Sequence, residues 1–543
     1  MSYYLRGDPM SFAKNECQQL TLNDSTFSLT ARELRMLEKS WAKQFAEKIF
    51  PQIDEERFSV LYSDKASRPN TPVNVIIGGM VLQELLDLTD EEFMDSLLFD
   101  IRFQYALHTT SFEEQPISDR TFSRFRRRCL TYETETGIDL IHETVKELSE
   151  EMASLMNING RMKRMDSLMV ASNIRKLGRM ELLYTCVSDF VIFLHRTGMD
   201  ELLAGMEHYY EPGDYNRVIY HSRSEEAGER IRQILADADK LLSACEGACD
   251  ESAEYQLLVR VMKEQTVVDE TGVRRLKTKE DGQMGPQILQ NPSDPDATYR
   301  EKAGKQNRGY TANVIESVGD NGSIATDYQY DKNIHSDSQF LKEAIESMEE
   351  SAAPVVLITD GAYSGQKNKD AAAEKNIELV TTDLTGRETK DIAADFLFTE
   401  DGTRVIKCPA GNAPKSCGYI SQTGQCRISF PRNKCENCPH RDQCQPKMFN
   451  RTSVLFLSKR SSDRAKSQRA MKTDKFKELA RIRNGVETIP SILRRKYQID
   501  HMPVRGLLST KLRFGIKLAA LNFKKLSVYL NSMDQCALIS KIS

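Results

Sequence analysis

Long hydrophobic runs are missing from this chain. The best of them, Val73 to Leu86 (VNVIIGGMVLQELL), is broken by glycines and a glutamine and falls short of the ~18 to 20 apolar residues that a membrane helix needs. No membrane partner is therefore expected. The opening MSYYLRGDPMSF does not follow the basic-then-apolar order of a secretion signal. The expected location is the cytoplasm, where the twelve cysteines stay reduced rather than paired. A strong excess of one charge is missing too: 75 Lys and Arg against 79 Asp and Glu leave a net charge of −4. Spread evenly, that balance would argue against nucleic acid. Tryptophan is limited to Trp41, while 40% hydrophobic and 28% charged residues describe an ordinary globular composition. A chain of 543 residues exceeds one compact core, and about three or four domains are expected.

The charge is not spread evenly. Residues 200 to 300 are rich in Asp and Glu, whereas Arg451 to Lys525 holds 20 Lys and Arg against five acids. Such asymmetry marks a nucleic-acid contact surface on an otherwise acidic protein, against the plainer reading of a solvated helical face. One of the five acids, Glu487, sits in the middle of RIRNGVETIPSILRR. A lone carboxylate in a cationic field is either an incidental ion pair or a charge aimed at something else.

Residues 1–65 read as a polar, partly helical lead-in. Residues 66–150 read as a helical domain, with Thr89 opening a helix and Ser118 or Asp119 capping a short one that bears Arg120, Arg124, Arg126, Arg127 and Arg128. Helices ending in a basic one suit a helix-turn-helix lying on DNA, and a small bundle with a basic rim is the alternative. A strand over Lys163 to Ala171 carries Asp166. Residues 180–300 read as a charged helical insertion with no strand signals of comparable strength. GYTANVIESV and SIATDYQYD, joined by Gly319-Asp320-Asn321-Gly322, form a hairpin pattern. In APVVLITDGAYSG the continuous apolar run Val355 to Ile358 is a strand buried on both faces, with Asp360 at its carboxyl end, where α/β sheets bind ligands. A helix over Lys367 to Lys375 and the strand IELVTTDL continue the alternation.

Taken in order, these blocks resemble the DDE transposases of bacterial insertion sequences. SRPNTPVNVIIGGMVLQELLDLTDEEF with ISDRTFSRFRRR resembles their amino-terminal domain; RMDSLMVASNI, VVLITDGAYSG and RIRNGVETIPSILRR resemble the three catalytic blocks. The resemblance implies an α/β fold: a ribonuclease-H-like mixed sheet flanked by helices over 160–395 and 450–530, interrupted by the helical insertion and by a Cys-rich insertion over 400–450. It implies Asp166, Asp360 and Glu487 as a triad holding Mg²⁺ or Mn²⁺. Three neighbouring carboxylates repel, by roughly 4 kcal/mol per pair at 4 Å and an effective dielectric of 20, unless a hard cation sits among them. Many relatives show Tyr, Arg, Glu and Lys at fixed spacing in the third block. Here Arg483, Glu487 and Arg494 fit, with Arg for Lys, while Ala480 stands at the tyrosine position. On a helix Arg483 and Glu487 share a face, and Pro490 requires a helix to start near Thr488 or to kink. The expected DNA contacts are Arg120, Arg124, Arg127, Arg483, Arg494, Arg495 and Lys496.

Six cysteines fall between Cys408 and Cys444. CENCPHRDQC supplies Cys435, Cys438 and Cys444, and Cys408 can supply a fourth ligand for a structural Zn²⁺, with Cys417, Cys426 and His440 as substitutes. The overall expectation is a transposase that binds terminal inverted repeats as a homodimer, cleaves double-stranded DNA and joins the 3′-hydroxyl to target DNA. Two rivals stay open: a nuclease of the same fold without strand transfer, and a catalytically inactive DNA-binding descendant.

Overall fold

The computed structural model describes residues 10–15, 24–63, 65, 68–112, 114–118, 120–220, 226–282, 284–302, 304–350, 353–363, 365–382 and 388–540. Asp119, offered above as a helix cap, lies outside them. The chain divides into two compact units. The first comprises residues 1–160, 167–340 and 488–543; the second comprises 161–166 and 341–487.

Six strands make a mixed sheet: β1 (Met162–Ala171), β2 (Thr298–Lys302), β3 (Lys305–Gly319), β4 (Gly322–Lys332), β5 (Val355–Thr359) and β6 (Ile377–Thr381). β1 contributes its second half to the first unit and its first half to the second.

In the first unit β3 is the long central strand, antiparallel to both β2 and β4. The β3–β4 hairpin closes through the two-residue turn Asp320-Asn321 between the paired Gly319 and Gly322, and Gly322 opens β4 with a φ of +125°. The helix Val73–Leu86 is buried along nearly its whole length, because it is apolar all round rather than on one stripe. A Cβ on Gly78 would stand 2.7 Å from Leu107, so the small residue is what lets the chain pack there. The next helix, Asp90–Phe99, opens with a capping box: the Thr89 hydroxyl accepts from the Glu92 N–H while Glu92 accepts from the Thr89 N–H. Leu37, Phe45, Phe50 and Phe58 of the lead-in belong to the same core as Val73–Leu86. The helix expected to be short runs over sixteen residues, Thr121–Thr136, and ends at Gly137 in the left-handed region. Its buried Phe122, Phe125 and Cys129 recur at helical spacing and carry it past the arginine run.

Residues 182–289 close a second core of their own around Leu183, Phe190, Leu241 and Leu258. Within it Thr266–Val268 and Arg274–Leu276 pair as a two-stranded ribbon, too short to leave a period in the sequence. The long carboxyl-terminal helix, Leu507–Ser540, also belongs to the first unit. There Glu84, 8% exposed, pairs with Lys517, 5% exposed, and with Arg513 at 2.8 Å.

In the second unit β1, β5 and β6 run parallel, with the helix Gln366–Glu374 crossing between β5 and β6. The run Leu397–Leu457 forms a smaller lobe, in which Ser416–Ile420, Gln425–Pro431, Thr452–Leu457 and Lys447–Met448 are neighbours in that order. Arg469, on the helix Lys459–Ala470, reaches Asp391 at 2.8 Å and Asp395 at 2.6 Å. The helix Asp474–Asn484 follows. Among the described residues no helix is long and apolar enough to cross a membrane.

Candidate active site

Strand register alone aligns two of the three acids. Met162, Lys163 and Arg164 of β1 face Val356, Leu357 and Ile358 of β5. The same offset, carried two residues on, sets Asp166 against Asp360, and neighbouring strands lie about 4.8 Å apart. Asp166 is on the strand, and Asp360 is the first residue past the end of β5, where the backbone leaves the sheet.

The third acid arrives on a turn. The helix Asp474–Asn484 gives way to a 3-10 turn, Gly485–Glu487, and the helix Thr488–Lys496 follows at once. Pro490 sits in the first turn of that second helix, where its missing N–H costs nothing. Glu487 is therefore at a junction between helices, not inside one.

Arg483 joins the three. Its guanidinium stands 3.4 Å from Asp166 Oδ2, 3.6 Å from Asp360 Oδ2 and 3.1 Å from Glu487 Oε1. Arg483 is only 13% exposed, Asp166 is 18% and Glu487 is 67%. Asp166 is thus held in the fold, whereas Asp360, 40% exposed, and Glu487 face the surface. Arg483 Nε is buried without a hydrogen-bond partner. A trio of carboxylates converging on one cation is the donor set that hard divalent ions select. Among the described residues no group of three or more His, Cys, Asp or Glu side chains is already arranged to hold a metal ion; the three acids are spaced around the guanidinium instead.

Sequence reasoning does not single out Arg164 or Gly485. Arg164, 6% exposed, donates from Nη1 to the Ile482 carbonyl at 2.5 Å. A Cβ on Gly485 would collide with that same guanidinium. Arg164 precedes Asp166 by two positions on β1 and so links the strand of the first acid to the turn of the third. Arg164 reads in sequence as one more basic residue near an acid, and only the close approach to glycine gives it away.

The basic residues separate by partner. Arg494 is held by Asp500 at 3.0 Å and by the Met169 carbonyl at 2.7 Å, so its charge is already committed within the first unit. Arg495 donates to the Ser491 hydroxyl at 2.7 Å, and Lys496 lies 6.0 Å from the centroid of the Tyr497 ring. On the helix Thr121–Thr136, Arg126 pairs with Asp90 at 2.8 Å and Arg128 covers the Tyr62 ring at 5.0 Å. Burial pushes the Tyr62 phenol up to about 12. Arg124 and Arg127 are exposed and line a cavity of about 650 Å³ with Arg68, Ser118 and Thr121. Among the described residues neither forms an ion pair. Arg120 precedes the helix and is exposed.

In the Cys-rich lobe, Cys408, Cys435, Cys438 and Cys444 line one cavity of about 30 Å³, together with His440. Burial first, then the thiols of Cys438, Cys408 and Cys435, push the Cys444 thiol up to about 11. Cys426 does not line that cavity: it is fully buried in the lobe's own core, its thiol facing the Gly402 and Thr403 carbonyls. Cys417 accepts from the Val405 N–H at 3.4 Å.

Two stretches of the chain match known family models. Residues 407–527 match the transposase DDE domain, the domain of a family of enzymes that cut and transfer DNA. Residues 35–128 match a transposase domain designated DUF772. The first match includes Arg483 and Glu487, and the second includes Arg120, Arg124 and Arg127; Asp166 and Asp360 lie outside both. A solved structure, a piggyBac transposase synaptic complex with hairpin DNA, matches at 9% identity over 92% of this chain and 76% of that one, with a TM-score of 0.29. So low a score supports no residue-by-residue comparison. No curated protein matches the chain.

Proposed function

We propose that this chain, a transposase with a DDE domain, cuts DNA at the ends of its own mobile element and joins the exposed 3′-hydroxyl to target DNA, with Asp166, Asp360 and Glu487 as its catalytic carboxylates. The observation that carries the reading is the convergence of these three acids, drawn from three separate stretches of sequence, on the single guanidinium of Arg483. An ordinary ion pair needs one acid. Three acids around one cation make a site with an excess of negative charge, which is unfavourable unless it serves to bind cations.

Asp166, Asp360 and Glu487 would hold Mg²⁺ or Mn²⁺, which would supply the Lewis acidity that activates an attacking oxygen and stabilises a leaving one in phosphoryl transfer. The chain's own groups do the rest. Asp166 and Asp360 are fixed by strand register and set the centre of the site. Glu487 completes it from the turn Gly485–Glu487, and Arg164 holds that turn against β1. Arg483, which here meets all three carboxylates, has a planar fork that would suit bidentate contact with a phosphate of the DNA. Water, and then the 3′-hydroxyl it exposes, attacks phosphorus in line, and no covalent bond between protein and DNA is required.

Arg120, Arg124 and Arg127 are assigned to the DNA backbone at the terminal repeats. Arg124 and Arg127 have the stronger support, since both are exposed and have no counter-charge among the described residues. Arg495 and Lys496 extend the basic run of the chain after the third acid. Arg494, which also pairs with Asp500 and the Met169 carbonyl, belongs to the same set. Two copies acting on two element ends complete the proposal.

The test is a linear duplex carrying the element end and its natural flank, incubated with protein and Mg²⁺. Asp360→Cys should lose cleavage in Mg²⁺ and regain part of it in Mn²⁺, which accepts a thiolate ligand more readily. Equal activity of the variant in both metals would count against direct metal contact at Asp360.

A further inference from the structure

We propose that the cavity beside the helix Thr121–Thr136 is a nucleotide pocket, which takes one unpaired nucleotide that DNA presents outside its base stack. The inference rests on the reading of this chain as a DNA-binding transposase and extends it from backbone contact to a base.

The shape comes first. The cavity measures about 650 Å³, within the range of about 300 to 1,000 Å³ typical of sites that enclose small ligands. Contact with the outside of a duplex needs no such hollow, since arginines on a convex face reach phosphates equally well. A base inside the duplex cannot enter a cavity; one that has left the stack can.

One set of lining groups suits a phosphate. Arg68, Arg124, Arg127 and Arg128 border the cavity against a single acid, Glu135. Among the described residues Arg68, Arg124 and Arg127 form no ion pair. Ser118 and Thr121 also border it, so the helix begins at the cavity. Arg120, at the cap position, makes no capping hydrogen bond through its side chain. The first-turn N–H groups thus lack a side-chain acceptor at the cap, and an anion suits them.

A second set suits a base. Ile76, Ile117 and Phe125 give the cavity buried apolar walls. Arg128 lies over the Tyr62 ring at 5.0 Å, and both residues border the cavity; a guanidinium plane stacked in this way also stacks on nucleobases. Gln115 is the most telling member. Its Nε2 donates to the Thr109 carbonyl at 3.3 Å, while its Oε1 is buried without a hydrogen-bond partner among the described residues. A buried acceptor left without a donor is unfavourable, and the exocyclic amine of adenine, cytosine or guanine would supply one. A bare phosphate would satisfy the arginines and leave both that oxygen and the apolar walls unused.

The experiment is a set of binding titrations with the full-length chain, without added metal, so that cleavage plays no part in the readout. The probes are one duplex of fixed sequence, the same duplex with one extrahelical adenine, and the same duplex with an abasic nucleotide in place of that adenine. The adenine bulge should bind about tenfold more tightly than the other two, the size expected of one stacked base. Gln115→Leu, and Thr131→Phe at another position that borders the cavity, should each remove most of that preference while leaving the paired duplex bound as before. Equal affinity for the adenine and abasic bulges would overturn the pocket, and this wild-type comparison stands even if a variant fails to fold. Deoxyadenosine monophosphate and inorganic phosphate are titrated alongside. Tight binding of the free nucleotide with no preference for the bulge would overturn the DNA source in favour of a soluble nucleotide. Equal binding of the free nucleotide and inorganic phosphate, again with no bulge preference, would reduce the cavity to an anion site. Failure to bind any duplex would overturn the DNA-binding reading together with the pocket, whereas a paired duplex bound as well as the adenine bulge would overturn the pocket alone.

Discussion

The Arg164 guanidinium lies against Gly485, in the space a side chain at that position would take, while its Nη1 donates 2.5 Å to the Ile482 carbonyl. One contact thus connects the strand of Asp166 to the turn of Glu487. Gly485→Ala must push Arg164 aside or shift the turn, and a displacement of about 1 Å at a reacting centre can cost on the order of 10²-fold in rate. Gly485→Ala is expected to slow cleavage at saturating DNA by that order with little change in DNA affinity. Single-turnover cleavage and a binding titration check it. If Arg164→Ala restores part of the rate in the Gly485→Ala background, the clash is the cause; additive losses would place the effect elsewhere.

Glu487→Gln keeps the shape of the third acid and removes its charge. DNA binding should remain nearly intact while cleavage falls by at least 10²-fold, as expected for loss of a charged group used only in the chemistry. A collapse of binding alongside cleavage, seen in a mobility-shift titration, would make Glu487 structural.

Local patterns make much of this site legible in the amino-acid sequence. The parallel strands leave apolar runs, the hairpin leaves its Gly-Asp-Asn-Gly stretch, and Thr89 with Glu92 spells a capping box. The order of the acid blocks follows from resemblance. What escapes is long-range. Arg164 and Gly485 are far apart in sequence, and neither has a distinctive neighbourhood. Arg494 fits the spacing of a DNA-binding residue, and only the structure shows its pairing with Asp500, six positions on. The junction at Glu487 is half legible: Pro490 announces a helix start, whereas the 3-10 turn before it depends on Arg164.

Arg124 and Arg127 are expected to contact phosphates. Replacing both with Gln should weaken binding to specific and random duplexes alike. The slope of log K against log[salt] should become shallower by roughly 0.9 for each phosphate no longer neutralised. An unchanged slope would show that these arginines do not meet the backbone.

Glu84 is the counter-charge for two cations of the carboxyl-terminal helix, Arg513 and Lys517, and burial pulls the Lys517 ammonium below its ordinary range. Glu84→Gln leaves both without a full partner, which is expected to cost about 3–5 kcal/mol. Urea unfolding of the variant measures it; a loss under about 1 kcal/mol, the value of a surface pair, would contradict the assignment.

Burial also holds the His108 imidazole below the usual histidine range, packed 4.7 Å from the Phe50 ring centroid with Nε2 3.0 Å from the Ala46 carbonyl. The unfolded chain therefore takes up a proton that the folded chain resists. Stability should fall as pH drops below about 6.5 and be unaffected by this group above it. His108→Gln should lose less stability than wild type between pH 7.5 and 5.5, read as the shift in denaturation midpoint. Equal losses would remove His108 from the explanation.

Cleavage and joining followed in one tube put the transposase assignment itself on trial. A plasmid carrying this gene with its natural flanking DNA would be incubated with the purified chain and Mg²⁺, the new ends mapped, and Asp360→Asn run in parallel. Metal-dependent cuts at paired inverted repeats and joined target products are expected from the wild-type chain, and neither from Asp360→Asn. Binding to the flanks without any cut, or cuts that persist in Asp360→Asn, would refute the assignment of Asp166, Asp360 and Glu487 as the catalytic carboxylates.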